Sequence, residues 1–400
     1  MKQTLENVVG TRWNIQQIIG LWKADQIKVK QVDKHKLPEE VLNNAAKAWE
    51  ERLRQVGNEI GIEYKDWRIT DAEPYNKLEV IKDGSWKLRM FAGPQTRIED
   101  YQPSYKGVLM LKHSLANYAE SLATNNTDPY GLIKKFGRDG LADGHAVSVA
   151  IIGKDYDTGK KVIQYFKRGE GLGEYGSYFG SAAGNSETPD KNPFDIARKE
   201  SVEESGIISK VLDTESYKKM GLPNPKFQVV EKFKGFSKVR YLNRKGKEEY
   251  GIIVNDDPFR MIGLALNIDP DDRDKEGNSK PHHKSEYLFI ADTNIPIQVL
   301  DDKKFGWRRN DEHAEVMYVP HSENDLVDFA IEYTPGSKQN KIMPPTHALT
   351  LGVLRNFFGE GAFKKGLETV NLTNKFDFSR HPIYSLVEQG YYELPKLIIK

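Results

Sequence analysis

Within Lys199-Glu200-Ser201-Val202-Glu203-Glu204-Ser205-Gly206, three carboxylates stand at i, i+3 and i+4. On a helix advancing about 100° per residue, Glu203 and Glu204 fall on either side of Glu200, so the three heads span roughly a 100° arc and converge. Like charges held that close repel one another. A hard divalent cation such as Mg²⁺ or Mn²⁺, which takes oxygen ligands and keeps several waters, turns that repulsion into binding. The competing reading of the same residues is a solvated acidic face, since Glu-rich turns are common on exposed helices.

The helix that must carry these acids is marked at both ends. Asn192-Pro193 offers an N-cap oxygen and then a residue whose fixed φ and missing N–H suit the first helical position, and Asp195 adds an acid to the first turn. Gly206 stands where a left-handed residue closes the helix. Phe194, Ala197 and Ser201 share another face, small enough for close packing on a sheet. Ahead of the helix, residues 146–152 read as a buried strand, 155–160 as a turn and 162–166 as the returning strand. Behind it, 261–268 and 287–291 read as strands joined by a long polar connection over 269–285. Residues 315–320 read as a closing strand, and 324–333 and 347–358 as amphipathic helices.

The stretch from Tyr178 to Ile207 resembles the Nudix box, G-x5-E-x7-R-E-U-x-E-E-x-G-U with U apolar, matched here over residues 181–207. Ser181 takes the place of the opening glycine, six residues before Glu187, and Gly180 keeps half of the usual glycine pair. Eleven residues instead of seven separate Glu187 from Lys199, which reads as a four-residue loop insertion. Lys199 replaces the box arginine and Ser201 a usually apolar residue, while Glu200, Glu203, Glu204, Gly206 and Ile207 fall in register. The insertion costs little, because closure entropy grows slowly with loop length. Lysine keeps the charge of arginine but loses its two-pronged grip, so Lys199 is expected to tie Glu187 less rigidly and the activity to be slow or the substrate unusual.

The resemblance implies an α/β fold, a Nudix-type α/β/α sandwich on a mixed sheet over residues 141–366. It implies metal-dependent hydrolysis of a pyrophosphate bond in a nucleoside diphosphate linked to another moiety. Glu200, Glu203 and Glu204 are then the ligands of Mg²⁺ or Mn²⁺, with Glu187 and Lys199 in support. The general base is sought among the box acids Glu203 and Glu204 and the loop acids Asp311, Glu312 and Glu315. A second reading is a catalytically weak or inactive Nudix-fold ligand sensor or interaction module, because a motif fixes a site and not an activity. Isomerisation of an allylic diphosphate, which leans on a cysteine in a relative of this fold, is disfavoured. Substrate choice is expected in 226–258, where Phe227, Phe233, Phe236, Tyr241 and Tyr250 either stack on a base or pack an extra hairpin. Lys280, His282, His283 and Lys284 are further candidates, for a phosphate or ribose.

Composition sets the outer bounds. With 400 residues and 38% hydrophobic content the chain can build two or three domains with real cores. A formal charge of +1 gives no pull toward nucleic acid such as capped RNA, although a local patch stays open, and the oligomeric state is not fixed. The absence of cysteine excludes disulfides, thiolate zinc sites and cysteine nucleophiles. No membrane partner is expected, and a cytoplasmic protein is, because the start lacks an apolar signal region and no run of 18 apolar residues occurs.

Residues 1–140, which the resemblance does not reach, read as a separate α+β module with a helix over 38–57, strands over 67–69, 78–81 and 86–91, and a second helix over 108–123. The boundary is expected in 124–128 or 138–144, and 367–400 forms a C-terminal extension. Gly171-Leu-Gly-Glu-Tyr-Gly176 satisfies G-x-G-x-x-G but lacks a following helix, which argues against dinucleotide binding. The lysines of 23–36 read as a solvated surface first and a weak phosphate-backbone contact second.

Overall fold

The computed structural model describes residues 4–8, 14–59, 78–82, 85–90, 92–103, 107–125, 128–168, 178–186, 192–209, 227–242, 248–254, 256–273, 279–296, 313–332 and 341–366. The chain opens with β1 (Thr4–Val8), β2 (Asn14–Trp22), β3 (Ile27–Gln31) and α1 (Glu39–Glu59). Then come β4 (Leu78–Lys82), β5 (Ser85–Met90), β6 (Pro94–Pro103), β7 (Leu109–Asn117), α2 (Tyr118–Asn125) and α3 (Pro129–Phe136). β8 (His145–Lys154), β9 (Lys161–Arg168), β10 (Tyr178–Gly180) and β11 (Ala182–Asn185) lead to α4 (Pro193–Glu200), which continues as a π turn over Ser201–Ser205. Next are β12 (Ile207–Ser209), β13 (Gln228–Phe233), β14 (Phe236–Leu242), β15 (Glu248–Val254), β16 (Phe259–Arg273), β17 (Ser279–Pro296) and β18 (His313–Pro320). α5 (Glu323–Glu332), β19 (Lys341–Ile342) and α6 (Pro344–Val353) follow, and α6 runs into a second π turn, Leu354–Phe358.

β8 is the axis of the main mixed sheet. Its apolar run is buried on both faces, as a strand with parallel and antiparallel neighbours requires. It pairs parallel with β17 and antiparallel with β9 and β11, in a sheet ordered β1-β2-β16-β17-β8-β9-β10-β19 with β18 beside β9. Val147, Val149 and Ile151 face a core shared with Phe194, Ile196 and Ala197 of α4, whereas Ala150 and Ile152 face one shared with Ala348, Leu349 and Leu351 of α6. Helices therefore cover both faces, as strand alternation sends successive side chains to opposite sides. Among the described residues no helix is long and apolar enough to cross a membrane.

Two expectations change. Residues 108–123 are not one helix: β7 occupies 109–117 and only α2 is helical. Leu109 and Leu111 are buried while Met110 between them is 40% exposed, a period of two that the short apolar run did not reveal. Most of 269–285 is strand, because β16 and β17 stay paired out to Arg273↔Ser279. Pairing also crosses the expected boundary near residue 140: β2 pairs with β16, Arg97 bridges Gly144, and Trp22, Ile98 and Leu109 share a core with Val149 and Phe194. The strand expected at 67–69 and the glycines of 171–176 lie outside the described residues.

Candidate active site

α4 begins as its sequence demands. Asn192 accepts a hydrogen bond from the Phe194 N–H at 3.0 Å, and Phe194 meets Phe289 of β17 edge to face with ring centres 4.8 Å apart. Arg198 is nearly buried and reaches away from the box carboxylates, with Nη1 3.1 Å from Asp195 and Nη2 2.6 Å from Asp257. Asp257 also accepts from Ser209 Oγ at 3.3 Å, so the guanidinium anchors α4 to the end of β12 and to the segment entering β16. The sequence reading missed this role for Arg198.

The carboxylates lie at the junction of α4 and the π turn. Burial, and not sequence spacing alone, distinguishes the three acids. Glu203 is exposed, whereas Glu200 and Glu204 are buried at 6% and 8% exposure. Val202 packs with Val239 and Tyr241 of β14 in a small separate core, and Gly206, at φ 67°, ends the turn in the left-handed region.

Both buried acids meet β11. The Ala183 N–H donates to Glu204 Oε2 at 3.0 Å. A Cβ at Gly184 would lie 2.1 to 2.4 Å from the Glu200 carboxyl atoms, so only glycine leaves room for that side chain. The Lys199 ammonium, also nearly buried, lies 3.3 Å from Glu200 Oε1. Two buried carboxylates against one strand suit the oxygen preference of a hard divalent cation. Among the described residues, however, no three His, Asp or Glu side chains form a ready-made cage.

The other predicted residues divide as follows. Glu187, Asp311 and Glu312 lie outside the described residues, and with Glu187 the expected tie to Lys199. Glu315 lies 3.6 Å from Lys167 Nζ. Its strand neighbours Val316 and Tyr318 pack on the α4 side and Met317 on the α6 side, so alternation puts Glu315 on the face opposite the box acids. Ser181 donates its N–H to Thr346 Oγ1 of α6 at 3.2 Å; Gly184, not Ser181, meets Glu200. The aromatic residues of 226–258 pack the β13–β15 sheet: Phe236 and Tyr241 are buried, Phe233 stacks on Phe236 at 4.6 Å, and Phe227 meets Tyr241 at 5.7 Å. Lys280, His282, His283 and Lys284 sit in β17.

Two polar groups on the α4 face were not singled out by the sequence. Gln164 of β9 is fully buried with no hydrogen bond to Oε1 or Nε2, and the buried hydroxyl of Tyr318, its cross-strand neighbour, also has none. Val162 and Phe166, which flank Gln164 at the same parity, belong to the core that holds α4.

No protein-family profile matches the chain, and no curated protein matches it. Among the solved structures similar to it in part are three described as Nudix or Ap4A hydrolases. A protein described as a Nudix hydrolase from Listeria monocytogenes aligns over 52% of this chain and 90% of its own at 12% identity and a TM-score of 0.23. A C. elegans Ap4A hydrolase, solved as a binary complex, aligns over 46% and 83% at 13% identity and a TM-score of 0.19. RenU, a Nudix hydrolase from M. smegmatis, aligns over 52% and 81% at 10% identity and a TM-score of 0.19.

Proposed function

We propose that this chain is a metal-dependent hydrolase of the Nudix type, cleaving a pyrophosphate bond in a nucleoside diphosphate linked to another moiety. The observation that carries the reading is the convergence of Glu200 and Glu204 on the backbone of Ala183 and Gly184. Gly184 also improves the motif. Counted from it, the six-residue step of the box reaches Asp190, and eight residues then precede Lys199, so the loop insertion shrinks to one residue and an aspartate takes the place of the loop glutamate.

In this reading Glu200 and Glu204 hold Mg²⁺ or Mn²⁺, with Glu203 at the exposed side of the same turn. The bound cation supplies neutralisation of the diphosphate oxygens and activation of a water. Glu203, the exposed box acid, takes the proton of the attacking water. The water oxygen bonds to phosphorus, the P–O bond of the bridge breaks, and the electron pair leaves on the departing phosphate.

A second reading, a ligand-binding module without turnover, is favoured by one contact: Lys199 holds its ammonium against Glu200, where a divalent cation must bind. Metal-dependent hydrolysis over a panel of nucleoside diphosphate derivatives separates the two. Turnover that depends on Mg²⁺ or Mn²⁺ and falls in Glu204→Gln supports the hydrolase. Substrate binding without product in any condition supports the module.

A further inference from the structure

The loop between β11 and α4 is tied at both ends to the N-terminal part of the chain. At its start, Ser186 is pinned by β6: its carbonyl accepts the Thr96 N–H at 2.8 Å, and its hydroxyl lies 3.0 Å from Thr96 Oγ1. Both residues are almost wholly buried. At its end, Asn192 caps α4 through Oδ1 and turns its amide nitrogen to Ala24 O at 3.3 Å and Ile27 O at 3.4 Å. Ile27 opens β3 and Thr96 lies in β6, and these are the two outer strands of one three-stranded sheet ordered β3-β7-β6. A single sheet outside the box therefore grips both ends of the segment that leads from Gly184 to the catalytic helix.

We infer that this N-terminal sheet positions the end of β11 and the start of α4 at the active site, with Thr96 and Asn192 as positioning residues acting through Ser186 and the α4 cap. The inference rests on the hydrolase reading for its catalytic consequence. Hydrogen bonds at buried positions resist displacement of the groups they hold, because a broken one leaves a polar group unpaired. The β11 backbone that meets Glu200 and Glu204 runs directly into Ser186, so slack at Ser186 becomes displacement at Gly184.

The test uses the full chain. Thr96→Val removes one hydroxyl at nearly constant volume, and Thr96→Ser keeps it. Asn192→Ser keeps an N-cap oxygen but lacks the amide donor that reaches Ala24 and Ile27. Hydrogen exchange of the amides of β11 and the first turn of α4 is measured in each variant, with kcat and KM for the best diphosphate. The expectation is faster exchange at those amides in Thr96→Val and Asn192→Ser, with kcat about tenfold lower, since catalysis is sensitive to shifts of an ångström or less. KM should stay within about twofold, as expected when a transition-state interaction and not uniform binding is lost. Thr96→Ser should behave as wild type. Wild-type exchange in both disruptive variants overturns the inference, as does wild-type kcat in both. If wild type has no turnover, the hydrolase reading fails on its own and exchange still decides whether the sheet holds the loop. Should Thr96→Val not fold, Ser186→Ala removes the same contact from the other side.

Discussion

Gly184→Ala separates the cost of disturbing the site from the cost of disturbing the fold. The added Cβ would lie 2.1 Å from Glu200 Cδ and 2.3 and 2.4 Å from its two oxygens, where ordinary contact begins at 3.4 Å. The carboxylate must therefore withdraw by roughly 1 Å, since overlap at that range is steeply repulsive. The displaced atoms are the end of a flexible side chain, so the fold can absorb the change. Gly184 sits in a strand where alanine is allowed, and the stiffer unfolded chain returns about 0.4–1 kcal/mol. Net stability should change by no more than about 1 kcal/mol. The reaction has no such tolerance: a displacement near 1 Å costs about 10²-fold, or about 2.7 kcal/mol of barrier. Steady-state kcat/KM with Mg²⁺ or Mn²⁺ should show that loss while thermal unfolding stays nearly unchanged. A variant within a few-fold of the wild-type rate would show that Glu200 need not occupy the position seen against β11.

Glu204→Gln keeps an oxygen for the Ala183 N–H but removes the charge, so kcat/KM should fall by about 10²-fold or more with stability preserved; wild-type activity at saturating metal would exclude Glu204 as a ligand. Asp257→Ala strands the nearly buried Arg198 guanidinium with Asp195 alone and should cost about 2–3 kcal/mol in urea unfolding, somewhat below the full value for a broken buried pair because Asp257 is 20% exposed; a loss under about 0.5 kcal/mol would show the anchor to be idle. His347 is fully buried in α6, and desolvation lowers its pKa to about 4 from an ordinary 6.5. Because the folded value is the lower one, its contribution is complete above about pH 6.5 and is lost as pH falls toward 4, by about 3 kcal/mol over that window. His347→Leu should flatten that part of the pH–stability curve, and an unchanged curve would assign the acid sensitivity to other groups.

What was legible in the sequence was local. Asn192-Pro193 and Gly206 mark the ends of the box helix because caps act within a few residues, and the run over 146–152 could only be a strand buried on both sides. The different burial of the three glutamates was not legible, because it depends on partners distant in sequence: Val202, between Glu200 and Glu203, packs against Val239 and Tyr241, from a sheet some forty residues further on. Gly184 did leave a signal, since a glycine inside a strand often marks the close approach of another group, but counting the box from Glu187 drew attention to Ser181.

The adjacent cations show the same division between type and partner. A basic residue before Glu200 is readable, but which acid it meets depends on the fold. Arg198, with its rigid fork, spans to Asp195 and Asp257 and fixes the helix, while Lys199, a compact point charge, turns to Glu200. That arrangement has an energetic consequence. The ammonium offsets part of the negative charge of Glu200 and Glu204 and so stabilises the metal-free helix, and in the hydrolase reading the same contact opposes a divalent cation at Glu200. In the hydrolase reading, a lysine against Glu200 lowers cation affinity and gives a helix that holds its shape without one.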